Sequence, residues 1–230
     1  MSVIRTVPQA AKWVDKVGLA LLFPKADVVL PSLWEQVAGI QHVDWNREEI
    51  NFFWWAKDEL PARGRVCVGK HVARSVSCIA PRLLPTLVAA NGEAAEDGDP
   101  VVAAIRELGP LSGPQLREAT GLAKKEVDRA IVSLHHRLVL TNSHLDPEGS
   151  TWGTLVHDLL ARKWSLPTEL PPREDARREL ARLVLGQARE LTAADLAGVF
   201  SWRRKEAEAI LAEVGEARDA DGYTIYAPSR

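Results

Sequence analysis

Shifting the chain by about 80 residues lays one C-terminal pattern of apolar positions on another without a gap. Leu111, Leu116, Leu122, Val127, Ala130, Ile131 and Leu134 fall on Leu191, Leu196, Trp202, Ala207, Ile210, Leu211 and Val214. Glu126 falls on Glu206, and the basic pair Lys124 and Lys125 falls on Arg204 and Lys205. The intervals between the apolar positions are those of a short helix, a tight turn and a longer second helix, so each copy predicts a helix-turn-helix. Each is followed by the makings of a two-stranded wing. After Leu134 come Leu138-Val139-Leu140, the turn-rich stretch Asn142 to Gly149, and Thr151-Trp152. After Val214 come Ala217-Arg218, the turn Asp219-Ala220-Asp221-Gly222 and the strand-prone run Tyr223-Thr224-Ile225-Tyr226. The expected fold is mainly α (α+β), with tandem winged-helix domains and short β-wings. The two copies should superpose from about Pro100 to Leu155 and from about Asp175 to Ala227.

The N-terminal part has a different character. Pro8 to Leu22 predicts an amphipathic helix through Trp13, Val14 and Val17, weakened at Gly18 and closed by Phe23-Pro24. Ser32 with Glu35 three positions on is a capping-box pattern that starts a second helix. Asn46 with Glu49 repeats it and launches a helix over Arg47 to Leu60, stopped by Pro61. A last helix is expected from about Arg82 to Ala90, with Pro85 in its first turn. The expected domains are therefore a helical, Trp-rich region over 1–92, open to being winged-helix-like itself, then winged helices over 98–160 and 173–230. The Pro-rich stretch from Leu166-Pro167 to Pro171-Pro172 suggests that the last is a separately hinged module.

At 230 residues and 46% hydrophobic, the chain can bury the cores of two or three small domains. Cys67 and Cys78 are its two cysteines, which leaves no disulfide framework or Cys-rich metal cluster and suits a reducing cytoplasm. No run is long and apolar enough for a transmembrane helix, and no signal-peptide pattern opens the chain, so a cytoplasmic protein without a membrane partner is expected. No metal or cofactor is expected either. There is no Walker loop, GxGxxG, Gly-x-Ser-x-Gly or His-Glu-x-x-His pattern, and His135-His136 has no ligand partners at suitable spacing.

The net charge of -2 argues against a general polyanion binder, but the charges are unevenly distributed. No acid occurs between Glu59 and Glu93, whereas Arg63, Arg65, Lys70, Arg74 and Arg82 do. The compensating acids sit in the linker-like segment Glu93 to Asp99. Beside helix-turn-helix units such a stretch is a candidate phosphate-binding strip. In the units themselves Lys124, Lys125 and Arg129, and Arg203, Arg204 and Lys205, occupy the end of the second helix that a DNA reader presents to its groove. Glu126, Asp128, Glu206 and Glu208 lie there too. Carboxylates repel phosphates, so at least one unit is expected to be structural or to hold a protein partner.

The run Ile50, Phe52, Phe53, Trp54 and Trp55 covers more than one helix face, which is first of all the signature of core packing. Lys57, Asp58 and Glu59 follow at once, so Trp54, Trp55 and Lys57 form a candidate base-stacking pocket with a charged lip.

Several short motifs now align. Val17-Gly18-Leu19 with Leu22-Phe23-Pro24, Leu30-Pro31-Ser32-Leu33-Trp34-Glu35, Trp55-Ala56-Lys57-Asp58-Glu59-Leu60-Pro61 and Gly69-Lys70 resemble bacterial proteins related to the AlkZ and YcaQ crosslink-repair DNA glycosylases. The resemblance extends to about Leu160 and implies tandem winged helices that act on alkylated or crosslinked purines in double-stranded DNA. The Gln-hydrophobic-Gln signature with which that family positions its catalytic water is missing: Gln41-His42-Val43-Asp44 offers an acid three positions after the Gln instead. No catalytic residue is carried over. Asp44 and Asp58 remain as carboxylates that could polarise water if bases are excised, each with an ordinary role as helix cap or surface acid. The alternative from another class is a non-enzymatic transcription regulator or protein-binding winged-helix module.

Overall fold

The computed structural model describes residues 4–93, 98–146, 154–220 and 223–228. One order of elements (helix, strand, two helices, two strands) organises it throughout. The first unit comprises α1 (Val7–Val17), β1 (Leu19–Leu21), α2 (Leu33–Ala38), α3 (Glu49–Ala62), β2 (Cys67–Val72) and β3 (Ser75–Ile79), with an antiparallel sheet in the order β1-β3-β2. A 3-10 turn at Pro81–Leu83 and α4 (Leu84–Asn91) lead to the second unit. It comprises α5 (Pro100–Leu108), β4 (Leu111–Ser112), α6 (Gly113–Thr120), α7 (Lys124–His136), β5 (Leu140–Asp146) and β6 (Thr154–Leu159), in the sheet order β4-β6-β5. After α8 (Leu160–Trp164) the third unit runs through α9 (Arg173–Ala188), α10 (Ala193–Phe200), α11 (Arg204–Val214), β7 (Gly215–Ala220) and β8 (Tyr223–Pro228). Its first strand is reduced to one bridge, Leu191 to Tyr226. This is the winged-helix order, and the fold is α+β. Among the described residues no helix is long and apolar enough to cross a membrane.

The same local chemistry starts the middle helix of each unit. Ser32, Ser112 and Thr192 stand 80 residues apart in turn, and each backbone N–H donates to the side chain three positions on: Glu35 at 2.9 Å, Gln115 at 2.8 Å and Asp195 at 2.7 Å. The reciprocal bond, side-chain oxygen accepting from the third N–H, completes the capping box. The C-terminal repeat thus extends to the N-terminal unit, where a longer connection separates the two helices of the motif.

Several expectations change. The first helix does not reach Leu22. It ends at Val17, because Gly18 turns to φ +83° and Leu19–Leu21 join the sheet. The helix expected from Arg47 starts at Glu49 with Glu48 as an N-cap that makes no side-chain bond. Asn46 is no cap: its N–H is already taken by the Asp44 carboxylate at 3.0 Å in a local turn. Pro61 lies inside the last turn of α3 rather than stopping it. The region 1–92, expected to be helical and open to being winged-helix-like, carries a three-stranded sheet in keeping with the second form, and Asn142 to Asp146 are strand β5, not turn. Residues 94–97 of the acidic linker, 147–149 of the wing, Thr151, Trp152, Asp221 and Gly222 lie outside the described residues.

The third unit is not separately hinged. Leu180, Ala181, Val184 and Leu185 of α9 are buried in one apolar cluster with Leu84 and Leu87 of α4, Leu19 and Ile79 of the first sheet, Leu138 of the second unit and Leu160 of α8. Pulling the unit away would expose this surface at roughly 25 cal/mol per Å². A second cluster around Trp34, Phe53 and Leu60 fills the first unit, and a third around Ile105, Leu116 and Leu134 fills the second.

Leu116 on α6 and Leu196 on α10, matched by the repeat, are both fully buried. Each Leu→Ala variant should lower stability by about 2–5 kcal/mol in urea unfolding. Leu108→Ala, at a position 60% exposed, should stay within about 0.5 kcal/mol of wild type.

Candidate nucleic-acid interface

The second helices of the two C-terminal motifs begin with exposed cations: Lys124, Lys125 and Arg129 on α7, and Arg203, Arg204 and Lys205 at the start of α11. Three of the four acids beside them are engaged locally, and Glu208 stays exposed. The Glu126 carboxylate turns back to accept the Ala123 N–H at 2.9 Å, Glu206 accepts the Arg203 N–H at 3.3 Å, and Asp128 pairs with Lys124. Two of the four carboxylates that oppose a phosphate partner in the sequence therefore serve the caps. The helix dipole adds partial positive charge at the same ends. The corresponding helix of the first unit, α3, presents no such end: it lies between α1, α2 and β2 on its own side and β5 of the second unit.

That helix divides its aromatics by face. Phe53 is fully buried against Trp34, while Trp54 and Trp55 are 36% and 51% exposed. Trp45, 57% exposed, stacks on Trp54 with centroids 5.8 Å apart, and Phe23 meets both rings edgewise or tilted. Trp45 carries no signal in the sequence, because it lies outside the helical run. Lys57 sits 4.8 Å over the Trp54 ring and also pairs with Asp58. Trp54, Trp55, Lys57 and Asp58 line a hollow of about 330 Å³. The two candidate carboxylates thus differ in surroundings. Asp58 is neutralised by its neighbour, and Asp44 holds the Asn46 turn before α3.

The basic stretch separates into two places. Arg63, Arg65 and Arg82 line a groove of about 910 Å³ together with Lys12 of α1. Arg63 pairs there with Glu59, and Arg82 pairs with Asp15. Arg74 lies elsewhere, in a cleft of about 400 Å³ where all three units meet. It occupies the two-residue turn between β2 and β3, in which Ala73 and Arg74 have φ of +53° and +49°. Lys70 stands on β2, and its charge, with that of Arg74, helps hold His136 below its ordinary pKa, after burial as the main cause. Arg137, Arg173, Arg177 and Arg203 share the cleft with Arg74. The first three of these escape sequence reasoning, being scattered over the end of α7 and the start of α9.

A buried polar seam joins the first two units. His71 Nδ1 donates to the His135 carbonyl at 2.9 Å. His135 Nδ1 accepts the Lys70 N–H at 3.3 Å, so the ring must donate through Nε2 to His157 Nδ1, 3.2 Å away. An imidazolium has no acceptor, so His135 is neutral in this arrangement. Burial pushes His71 and His157 down to about 4, and His135 well below its ordinary range, with the neighbouring histidines adding to the effect. A Cβ on Gly69 would come within 2.4 Å of His135 Nδ1, so the rings take the place of a side chain there. Burial likewise pushes the Cys67 and Cys78 thiols up to about 12, which makes them poor nucleophiles. Among the described residues no three His, Cys, Asp or Glu side chains are grouped to hold a metal ion.

A family model described as "AlkZ related" matches residues 4–200. No curated protein matches the chain. Among solved structures, the Streptomyces sahachiroi DNA glycosylase AlkZ aligns with 98% of this chain at a TM-score of 0.61 and 14% sequence identity. The alignment covers 65% of that protein, and at this identity the likeness is one of fold.

The histidine seam makes stability depend on pH with a definite sign. Between about pH 6.5 and pH 4 the unfolded chain binds protons that His71 and His157 refuse in the fold. Stability should therefore be full above about pH 6.5 and fall by about 3 kcal/mol per group as pH drops towards 4. Urea midpoints measured across that interval check it, and His157→Gln should flatten the dependence.

Proposed function

The chain belongs to the AlkZ-related family, and from that premise we propose that it binds duplex DNA in DNA repair. The observation that carries this reading is the pair of helix ends at Lys124 and Arg204, repeated 80 residues apart, where basic side chains are exposed while Glu126 and Glu206 are withdrawn into caps. Phosphate contacts from such ends fix the position of a protein on a duplex and dominate its affinity. The groove at Arg63, Arg65 and Arg82 supplies further positive charge on the first unit.

Base excision receives less support than binding. Of the two carboxylates that could activate water, Asp58 is paired with Lys57 and Asp44 is bound to the Asn46 backbone. Water attack at a glycosidic carbon needs a carboxylate able to accept a proton and to face the developing sugar cation. The expected result is a protein that binds an alkylated duplex and leaves no abasic sites. Abasic sites that disappear in Asp58→Asn, with duplex binding retained, would instead make it a glycosylase acting through that carboxylate.

Charge reversal at Lys124 and Lys125, or at Arg204 and Lys205, should weaken duplex binding across all sequences. The salt slope should fall by about one unit for each phosphate that is no longer neutralised. A change confined to one DNA sequence would point to base reading and to the regulator alternative. No duplex binding at low salt would leave only the protein-binding role.

A further inference from the structure

We propose that the cleft at the junction of the three units is a phosphate-binding site, taking the phosphate of a nucleotide or of a nucleic-acid backbone. Five arginines line it, from the β2–β3 turn (Arg74), the end of α7 (Arg137), the first turns of α9 (Arg173, Arg177) and the start of α11 (Arg203). The two acids among its described lining residues are engaged: Glu93 lies 3.5 Å from Arg137, and Glu206 lies 3.9 Å from Arg177 while holding the Arg203 N–H. Among the described residues no carboxylate pairs with Arg74, Arg173 or Arg203. Guanidinium groups brought in from four elements, three of them without a carboxylate partner among the described residues, call for an anion that accepts from several directions. A tetrahedral phosphate offers oxygens out of one plane, whereas a carboxylate offers two oxygens within one plane, so the phosphate suits donors converging from several elements better.

The walls are built rather than collapsed. Trp202 Nε1 donates to Asn91 Oδ1 at 2.6 Å, Asn91 Nδ2 donates to the Phe200 carbonyl at 3.0 Å, and Phe200 stacks on Trp202 with centroids 4.7 Å apart. Arg177 lies 5.3 Å over the Trp202 ring. The Ala73 N–H donates to the Val199 carbonyl at 2.7 Å, which anchors the turn that carries Arg74. His136 also lines the cleft, and its buried Nε2 has no hydrogen-bond partner among the described residues. A volume of about 400 Å³ admits a phosphate with its attached sugar.

With a backbone phosphate as ligand, this deepens the DNA-binding reading, yet the test is separate from it. Pyrophosphate and inorganic phosphate titrated calorimetrically into the full chain at low ionic strength should show saturable binding. Arg74→Gln with Arg203→Gln should weaken it by about tenfold or more, while Arg106→Gln with Arg182→Gln, an equal loss of charge on other faces, should leave it unchanged. Should the first pair fail to fold by circular dichroism, Arg173→Gln at an exposed position carries the same expectation. No saturable binding, or equal weakening by both pairs, would overturn the proposal. Competition then distinguishes the source: displacement of pyrophosphate by an intact duplex marks a backbone phosphate, and displacement by a nucleoside monophosphate alone marks a free nucleotide. Pyrophosphate binding without any duplex binding would keep the cleft and remove the DNA reading.

Discussion

The contact on which the arrangement depends is the burial of α9 against α4 and the first sheet. Leu180, Ala181 and Val184 belong to the third unit by sequence, yet they share an apolar cluster with Leu84, Leu87 and Ile79. A winged helix alone is small, and a small domain buries too little surface to be robustly stable. Here α4, which follows the first wing, and α9, which precedes the third helix-turn-helix, fill one another's apolar faces. The β2–β3 turn is thereby brought beside the α10–α11 turn, and the arginines of three units face one cleft. The charge distribution is thus a consequence of a hydrophobic contact far along the chain.

The interface between the first two units works differently. It combines apolar burial with the directional chain Lys70, His135, His157 and the His71 to His135 carbonyl bond. Apolar contacts tolerate sliding, whereas a buried ring whose two nitrogens have fixed roles accepts one orientation. The seam therefore sets the angle between β2 and α7, and with it the place of His136 and Arg137 at the cleft.

The helix-turn-helix copies are legible in the sequence because apolar spacing reports burial directly, and Leu116 and Leu196 are indeed both buried. The first sheet is not. β2 is buried on both faces over most of its length, so its residues show no alternation, and the cations of the stretch suggest a solvated strip instead. The capping box at Ser32 is visible, but its distance from Ser112 goes unnoticed when the apolar positions after it do not match. Arg173 and Arg177 carry no local signal, since what makes them neighbours of Arg74 is tertiary packing. The reverse holds at Trp54 and Asp58, close in sequence and still together in the hollow, though with Trp45 and Lys57 already engaging them.

The turn at Ala73 and Arg74 sets the needs of folding against those of the site. A two-residue hairpin with both φ angles positive favours Asn-Gly, and a side chain with a β-carbon costs about 1 kcal/mol or more in that region. Ala73-Arg74 is thus a poorer turn than the backbone could have, anchored to α10 and carrying a cation into the cleft. Ala73 is itself buried in the apolar cluster, so relief of the turn falls to Arg74, where a glycine would ease the backbone and leave one arginine fewer where three units converge.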